Sequence, residues 1–302
     1  MLFCMGFLGM AQLALSSLFF IASAQGQTSL PSNEWSRVLT PTNGPATSIG
    51  FYANGCISGA RTLPLEGSGF QVMKTLRNRY YGHPDLIDFI TRLAAKLDAV
   101  NSAILIGDMG QARGGPLPYG HASHQNGLDV DLWYWTHPDQ RVRSLTQTER
   151  NSLEMKTVLN ANGLVDESKF TSETIAKLKF AATDPHVERI FVNPAIKTYL
   201  CSTLPTSELY WVHALRPWTG HDDHFHVRLS CSSDSPNCTH QAAQDAGDGC
   251  KEVILLRREL KKGVNADHDD EISGNLSPEI EKLITDPSLN HIPSACTKLL
   301  RP

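Results

Sequence analysis

The stretch HASHQNGLDVDLW, residues 121–133, joins a loop containing two histidines to the alternating pattern of a β-strand. Its apolar positions recur at every second residue and are Leu128, Val130 and Leu132. Because side chains alternate between the two faces of a strand, Asp129 and Asp131 project together from the opposite face. Gly127 allows the preceding loop to bend sharply. We therefore expect His124 to turn back over the strand and meet Asp131.

A second stretch, GHDDHFHVRL at residues 220–229, has the same strand pattern. Its apolar face consists of Phe225, Val227 and Leu229. The other face carries His224, His226 and Arg228. Residues two apart on a strand are separated by about 6.6 Å, so one histidine can ligate a metal while the other faces a water beside it. If the two strands are neighbours, their polar faces form one site.

These residue types are those of a hydrolytic zinc site. Such a site needs three protein ligands and an open position for water, whose pKa falls to about 7 on the metal. We predict His124, Asp131 and His226 as the ligands of one zinc ion. No histidine in the chain is followed by glutamate, so the HExxH helix motif is absent. His224 is the predicted general base, taking a proton from the attacking water and passing one to the leaving amine.

Other chemistries are poorly supported by the sequence. The serine motifs GxSxG, SxxK and KTG are absent, so a β-lactam has no catalytic serine to acylate. The net charge is -4, and no basic stripe with interleaved aromatic residues indicates nucleic-acid binding.

The N-terminus and the cysteines indicate export. Residues 1–24 have an apolar run followed by Ala22-Ser23-Ala24, which is typical of a cleaved signal peptide, although no Lys or Arg precedes the run. After Cys4, six cysteines remain and none forms a CxxC pair, which predicts disulfides in an oxidising compartment. Six cysteines allow 15 pairings, and spacing does not choose among them. No membrane span is expected once the signal is removed.

Hydrophobic periodicity predicts a mixed α+β fold. Helices are expected at 85–97, 146–160 and 172–182, and further strands at 103–106, 190–192 and 209–212. Helices and strands follow no strict βαβ alternation, which argues against a doubly wound sheet. We expect a small central antiparallel sheet that carries the zinc site and is flanked by helices. The predicted organisation is a signal peptide at 1–24, an irregular segment at 25–54 and a zinc peptidase domain at 55–302.

Residues 120–131 and 216–229 together resemble the penicillin-insensitive murein endopeptidase family. That family is part of the lysostaphin, D-Ala-D-Ala peptidase and hedgehog group, marked by HxxxxxxD followed by HxH. The resemblance implies a hedgehog-like fold and the same three ligands, with His221 and His121 as essential neighbours of the base His224. It also implies the disulfides Cys56–Cys296, Cys201–Cys250 and Cys231–Cys238.

The activity implied by the resemblance is hydrolysis of the D-alanyl to meso-diaminopimelyl cross-bridge of peptidoglycan in the periplasm. Some relatives bind a second metal through an Asp and a His, but residues 160–182 contain no histidine. A second metal therefore stays open, with His121 as an auxiliary ligand. The alternatives are a zinc carboxypeptidase or dipeptidase acting on D-Ala-D-Ala termini, and a non-catalytic zinc-stabilised module that binds the cell wall. The sequence leaves the oligomeric state open, a homodimer included.

Overall fold

A seven-stranded mixed sheet is the framework of the protein in the computed structural model, which describes residues 31–244, 247–251, 253 and 292–300. The predicted signal peptide lies outside these residues. The strands are β1 (Thr47–Phe51), β2 (Asn54–Ser58), β3 (Arg61–Thr62), β4 (Glu66–Gly67), β5 (Phe70–Val72), β6 (Tyr81–Gly82), β7 (Ile104–Ile106), β8 (Asp129–Trp133), β9 (Val187–Val192), β10 (Leu215–Pro217) and β11 (His224–Leu229). The α-helices are α1 (Pro84–Ala99), α2 (Gln147–Ser152), α3 (Ser172–Ala182), α4 (Pro194–Thr203) and α5 (Ser294–Leu299). Two 3-10 helices cover Thr75–Arg77 and Thr206–Ala214.

The large sheet has the order β10-β9-β11-β8-β7-β5-β4. Its central strands pair antiparallel, whereas β10 with β9 and β5 with β7 are parallel pairs. The α+β class is thus confirmed, but the expectation of a small antiparallel sheet is wrong. The short segments 70–72 and 215–217 add strands on both sides, and only tertiary pairing distinguishes them from loops. Two further sheets pair β1 with β2 and β3 with β6.

The apolar faces of β8 and β11 lie in the main hydrophobic core, together with the buried face of α1. Helix α1 begins at Pro84, one residue before the expected start, and proline suits a first helical turn because its missing N–H would have no partner there. His83 is the N-cap, and its Nδ1 accepts a hydrogen bond from the backbone N of Asp85. None of the helices in the described part of the chain is long and apolar enough to cross a membrane.

Three expected elements differ from the structure. The helix expected at 146–160 ends at Ser152, because the carbonyl of Arg150 accepts from the backbone N of Lys74 instead of from a further helical turn. Beyond the helix, the backbone N of Val158 donates to the carbonyl of Asp222 in the loop before β11. The prediction of a strand at 209–212 is wrong, because these residues belong to the 3-10 helix Thr206–Ala214. A four-residue apolar run has the same composition in a strand and in a buried helical turn. The segment 25–54 is irregular only in part, since β1 lies within its last third.

The three disulfides Cys56–Cys296, Cys201–Cys250 and Cys231–Cys238 are all present, which confirms the implied pairing. The first attaches α5 to β2 and closes a separation of 240 residues, whereas the third closes only 7. A cross-link stabilises chiefly by restricting the unfolded chain, and more so for a longer loop. The Cys56–Cys296 bridge should therefore contribute most to stability.

We expect the pair Cys56→Ser and Cys296→Ser to lower the free energy of unfolding by about 3 kcal/mol more than the matched pair Cys231→Ser and Cys238→Ser, from the loop-length term alone. Urea unfolding of the two double variants, followed by circular dichroism, measures both losses. Equal losses would contradict a stabilisation that acts through the unfolded state.

Candidate metal centre

The two motif strands, β8 and β11, are direct neighbours in the centre of the large sheet. In their antiparallel register His226 lies opposite Asp131, and Arg228 lies opposite Asp129. The Cβ atoms of such facing residues are about 4.5–5.5 Å apart and lie on the same face. The two polar faces predicted from the sequence therefore form one surface, which carries a His/Asp pair beside an Arg/Asp pair.

The loop before β8 brings His124 over this surface. His124 and Gly127 both adopt the left-handed conformation, with φ of 67° and 81°. At Gly127 the positive φ favours glycine, and a Cβ would crowd Cδ1 of Ile57 at 2.6 Å and the backbone N of His83 at 3.2 Å. The backbone N of His124 donates to Oδ2 of Asp129 at 3.0 Å, which fixes the loop to the strand. The predicted turn-back of His124 is thus observed, although the histidine itself also carries the unusual φ.

Four imidazole rings converge on the Asp131 carboxylate. Oδ1 lies 3.3 Å from Nε2 of His124, 3.3 Å from Nδ1 of His226 and 3.7 Å from Nε2 of His224. Oδ2 lies 3.4 Å from Nε2 of His121. Burial alone would raise the pKa of Asp131, but the histidines outweigh it, His124 most strongly, and hold that pKa well below its usual range. Asp131 is therefore an anion at neutral pH.

The cluster fits a metal ion because its buried polar atoms lack hydrogen-bond partners. Both ring nitrogens of His124, Oδ1 of Asp131 and Nε2 of His224 are buried without one. A buried polar atom without a partner is costly, and a bound cation would satisfy several of these atoms together. The ligand atoms of His121, His124 and Asp131 all lie within 4.8 Å of one another, so these residues could hold a metal. His226 contacts Oδ1 of Asp131, the same oxygen that His124 contacts, so His226 lies beside this set of three residues.

His224 and Asp223 form a pair at the start of β11. Nδ1 of His224 donates to Oδ1 of Asp223 at 2.6 Å, and this contact requires the hydrogen on Nδ1. In the neutral ring with its hydrogen on Nδ1, Nε2 carries the lone pair, and it lies 3.7 Å from Oδ1 of Asp131. Burial would lower the pKa of His224, but Asp131 and Asp223 outweigh it and raise that pKa above its ordinary value. Asp223 was not singled out from the sequence, although an acid directly before the predicted base was a usable signal.

His221 also joins the cluster, with its ring centroid 5.0 Å from that of His224. Its φ is 53°, and its backbone carbonyl accepts from the backbone N of Asn193 at 3.0 Å. Burial, followed by repulsion from His226 and His224, lowers the pKa of His221 to about 3. His221 is therefore neutral at pH 7. All six residues predicted from the sequence meet here, and they are His121, His124, Asp131, His221, His224 and His226.

Asp129 is a hydrogen-bonding neighbour of the cluster. It is fully buried and accepts from Nε of Arg228 at 2.8 Å and from Nη2 of Arg228 at 3.3 Å. Its Oδ1 also lies 3.1 Å from Nε2 of His226. Burial would raise the pKa of Asp129, but Arg228 and His226 outweigh it and keep that pKa far below its usual range. The Arg228 cation thus balances one of the two aspartates on the shared face.

Asp108 is a site residue that sequence reasoning missed. It follows β7 through Gly107, and its backbone carbonyl accepts from the backbone N of Asp131 at 3.0 Å. Burial would raise its pKa, but His121, Arg79 and Arg77 lower that pKa to about 2. The predicted strand at 103–106 ends two residues before this acid, and a carboxylate just beyond a buried strand was a signal that could have identified it.

Aromatic side chains form one wall beside the cluster. The ring of Phe191 lies 5.2 Å from that of His226 and 5.6 Å from that of Trp218. The side chain of Trp218 is 40% exposed, whereas Trp133 and Trp211 are buried. Trp218 therefore reaches the surface beside the cluster, and the other two tryptophans belong to the interior.

Comparison with known proteins finds a family model that spans both motif strands. The family model described as penicillin-insensitive murein endopeptidase matches residues 48–301. Three similar proteins carry that name. The one from Haemophilus influenzae is 43% identical over 228 residues, which cover 73% of this chain and 77% of that protein. The one from Pectobacterium atrosepticum is 40% identical over 247 residues, covering 81% and 84%. The one from Escherichia coli is 41% identical over 242 residues, covering 80% and 86%.

Proposed function

Because the chain belongs to the penicillin-insensitive murein endopeptidase family, we propose that it hydrolyses the D-alanyl to meso-diaminopimelyl cross-links of murein with one zinc ion held by His124, Asp131 and His226. The observation that carries this proposal is the convergence of buried ring nitrogens on the Asp131 carboxylate. An acid and histidines in this arrangement match the donor set that zinc takes in hydrolases. The antiparallel β8–β11 pair beneath them supports a hedgehog-like and D-Ala-D-Ala-peptidase-like arrangement.

Zinc at such a site supplies positive charge that polarises a carbonyl group and makes water acidic enough to attack at neutral pH. The protein's own contribution to proton transfer is His224, whose Nε2 faces the cluster because Nδ1 is held by Asp223. We assign His224 to take the proton from the attacking water at Nε2 and to return one to the leaving amine. His221, neutral at pH 7, and His121 line the same space as essential neighbours.

The location of the activity follows from the substrate and the disulfides. Murein is outside the cytoplasm, and disulfides persist in oxidising compartments such as the periplasm. Three bridges in one chain support this placement. We therefore propose that the protein acts in the periplasm on the peptide cross-bridges of peptidoglycan.

Digestion of purified cross-linked muropeptide dimers tests the proposal. We expect release of monomers that stops when a zinc chelator is added, resumes when zinc is restored, and is unaffected by a β-lactam. Release of free D-alanine from monomeric pentapeptides, with dimers left intact, would instead identify a carboxypeptidase. Binding to sacculi without release of any fragment would identify a non-catalytic wall-binding module.

A further inference from the structure

Two arginines bind the same carboxylate oxygen of Asp108 at the edge of the metal cluster. Nη1 of Arg77 and Nη1 of Arg79 donate to Oδ2 of Asp108 at 3.0 and 2.7 Å. The same oxygen lies 3.4 Å from Nε2 of His121, which itself contacts Asp131. The Arg77 guanidinium and the His121 ring are therefore neighbours at the edge of the cluster.

The two arginines differ in what else they bind. The side chain of Arg79 is 2% exposed, its Nη2 donates to the carbonyl of Tyr119 at 3.1 Å, and its guanidinium carbon lies 4.2 Å from the centre of the Tyr119 ring. The side chain of Arg77 is 26% exposed, and its guanidinium carbon lies farther from the Tyr119 ring, at 5.8 Å. Within the described part of the chain, the contact of its Nη1 with Asp108 is its one side-chain hydrogen bond. Arg79 is thus a structural partner of Asp108, while Nε and Nη2 of Arg77 remain available to a ligand.

The charges of Arg77, Arg79 and Asp108 together favour an anionic ligand. Two guanidinium groups face one carboxylate, which leaves one positive charge in excess, and it resides on the more exposed arginine. The other arginine at the cluster, Arg228, is 6% exposed and bound to Asp129. The side chain of His121 beside Arg77 is 20% exposed, so the two groups share an accessible rim.

We propose that Arg77 binds the free carboxylate on the carbon that carries the scissile nitrogen of the substrate. This inference rests on the proposed function, because the diaminopimelyl half of the cross-link keeps such a carboxylate next to the bond that is cut. A carboxylate there lies only two bonds from the leaving nitrogen, so its partner must belong to the wall of the catalytic cluster. A guanidinium group offers parallel N–H donors that match both carboxylate oxygens, and it stays charged at every relevant pH.

The substitution Arg77→Gln removes the charge without disturbing the fold, because Arg79 continues to pair with buried Asp108. We compare it with wild type on two muropeptide dimers that differ only in whether this carboxylate is free or amidated. For the free acid we expect Arg77→Gln to lower kcat/KM by about 10- to 100-fold, mainly through KM, as for the loss of a hydrogen bond to a charged group. For the amidated dimer we expect wild type and variant to agree within about twofold. On the free acid, the kcat/KM of Arg77→Lys should lie between the values of wild type and Arg77→Gln.

Arg141→Gln is the matched control, since Arg141 is 33% exposed and pairs with Asp98 away from the cluster. It removes the same charge and should leave both substrates unaffected. A binding measurement separates recognition from turnover: in a His224→Ala background, calorimetry should show a similar loss of affinity for the free-acid dimer alone.

The results distinguish the inference from the proposed function. Equal losses on the free and amidated dimers, or no loss on either, would overturn the role of Arg77 while leaving the endopeptidase activity established. If wild type cleaves neither dimer, the proposed function fails and the carboxylate site fails with it.

Discussion

Replacing His224 with alanine should lower kcat on cross-linked muropeptides by about 10²- to 10⁴-fold, the usual contribution of a positioned general acid–base group. The side chain is nearly buried, its Nδ1 is held by Asp223, and its Nε2 lies 3.7 Å from the Asp131 carboxylate. Removing it takes away the only proposed proton acceptor but none of the proposed ligands. The zinc content should therefore stay at one ion per chain, and KM should change little.

Initial rates together with metal analysis of the same preparations measure both effects. His186→Ala is the matched control, because the ring of His186 is 53% exposed and pairs with Asp184 instead of facing the cluster. That variant should keep wild-type rates. A His224→Ala protein that loses its zinc would reassign His224 as a ligand. One that keeps full activity would show that another group moves the proton.

The substitution Asp129→Asn should lower the free energy of unfolding by about 3–5 kcal/mol, as when one partner of a buried ion pair is removed. Asp129 is fully buried, and its carboxylate neutralises Arg228 while accepting the backbone N–H of His124. An asparagine keeps the shape of the side chain but leaves the buried guanidinium without its counter-charge. Urea unfolding of the metal-free proteins measures this loss.

The same substitution should weaken zinc binding by about 10- to 100-fold, the usual effect of losing a partner that orients a metal ligand. Nε2 of His226 lies 3.1 Å from Oδ1 of Asp129, and Nδ1 of His226 faces Asp131. Competition with a chromophoric chelator gives the affinity directly. Asp139→Asn is the control, since the Asp139–Arg143 pair is half-exposed and a surface ion pair contributes at most about 1 kcal/mol. Unchanged zinc affinity in Asp129→Asn would mean that His226 needs no such support.

A double variant tests whether the stability loss arises from the unpaired charge. Adding Arg228→Met to Asp129→Asn removes the uncompensated guanidinium, and replacing a buried ion pair by apolar groups is often close to neutral. We expect part of the stability to return, although Arg228 also donates to Gln241 at 2.7 Å. The zinc affinity should stay low, because His226 still lacks its carboxylate partner. Recovery of both quantities together would contradict separate roles for the two contacts.

Several features were accessible from sequence because they depend on local alternation and on residue type. The apolar positions of β8 and β11 recur at every second residue, and their side chains are buried in the main core as expected. The polar positions between them had to share the other face, so Asp131 and His226 were recognisable as candidate ligands. An even number of cysteines without CxxC pairs indicated disulfides, while their pairing came from family resemblance alone.

Other features depend on contacts between distant segments. The apolar run at 209–212 forms a 3-10 helix, and the predicted helix at 146–160 stops at Ser152 because the carbonyl of Arg150 bonds to the backbone N of Lys74, far away in the sequence. Neither outcome is encoded in a short window, because an apolar run satisfies a strand and a buried helical turn equally well. Sheet size was misjudged for the same reason: the outer strands are too short to have a periodicity of their own.

The sequence by itself determined the chemistry of the site: an acid, several histidines and the strand faces that carry them. Only the tertiary structure decided how that chemistry is arranged. The register that sets His226 opposite Asp131, the approach of Asp108 from β7, and the unequal burial of Arg77 and Arg79 all arise when separate strands and loops pack together. The physical reason is that alternation specifies which face a side chain occupies, whereas its distance from a partner on another strand depends on pairing and burial across the whole domain.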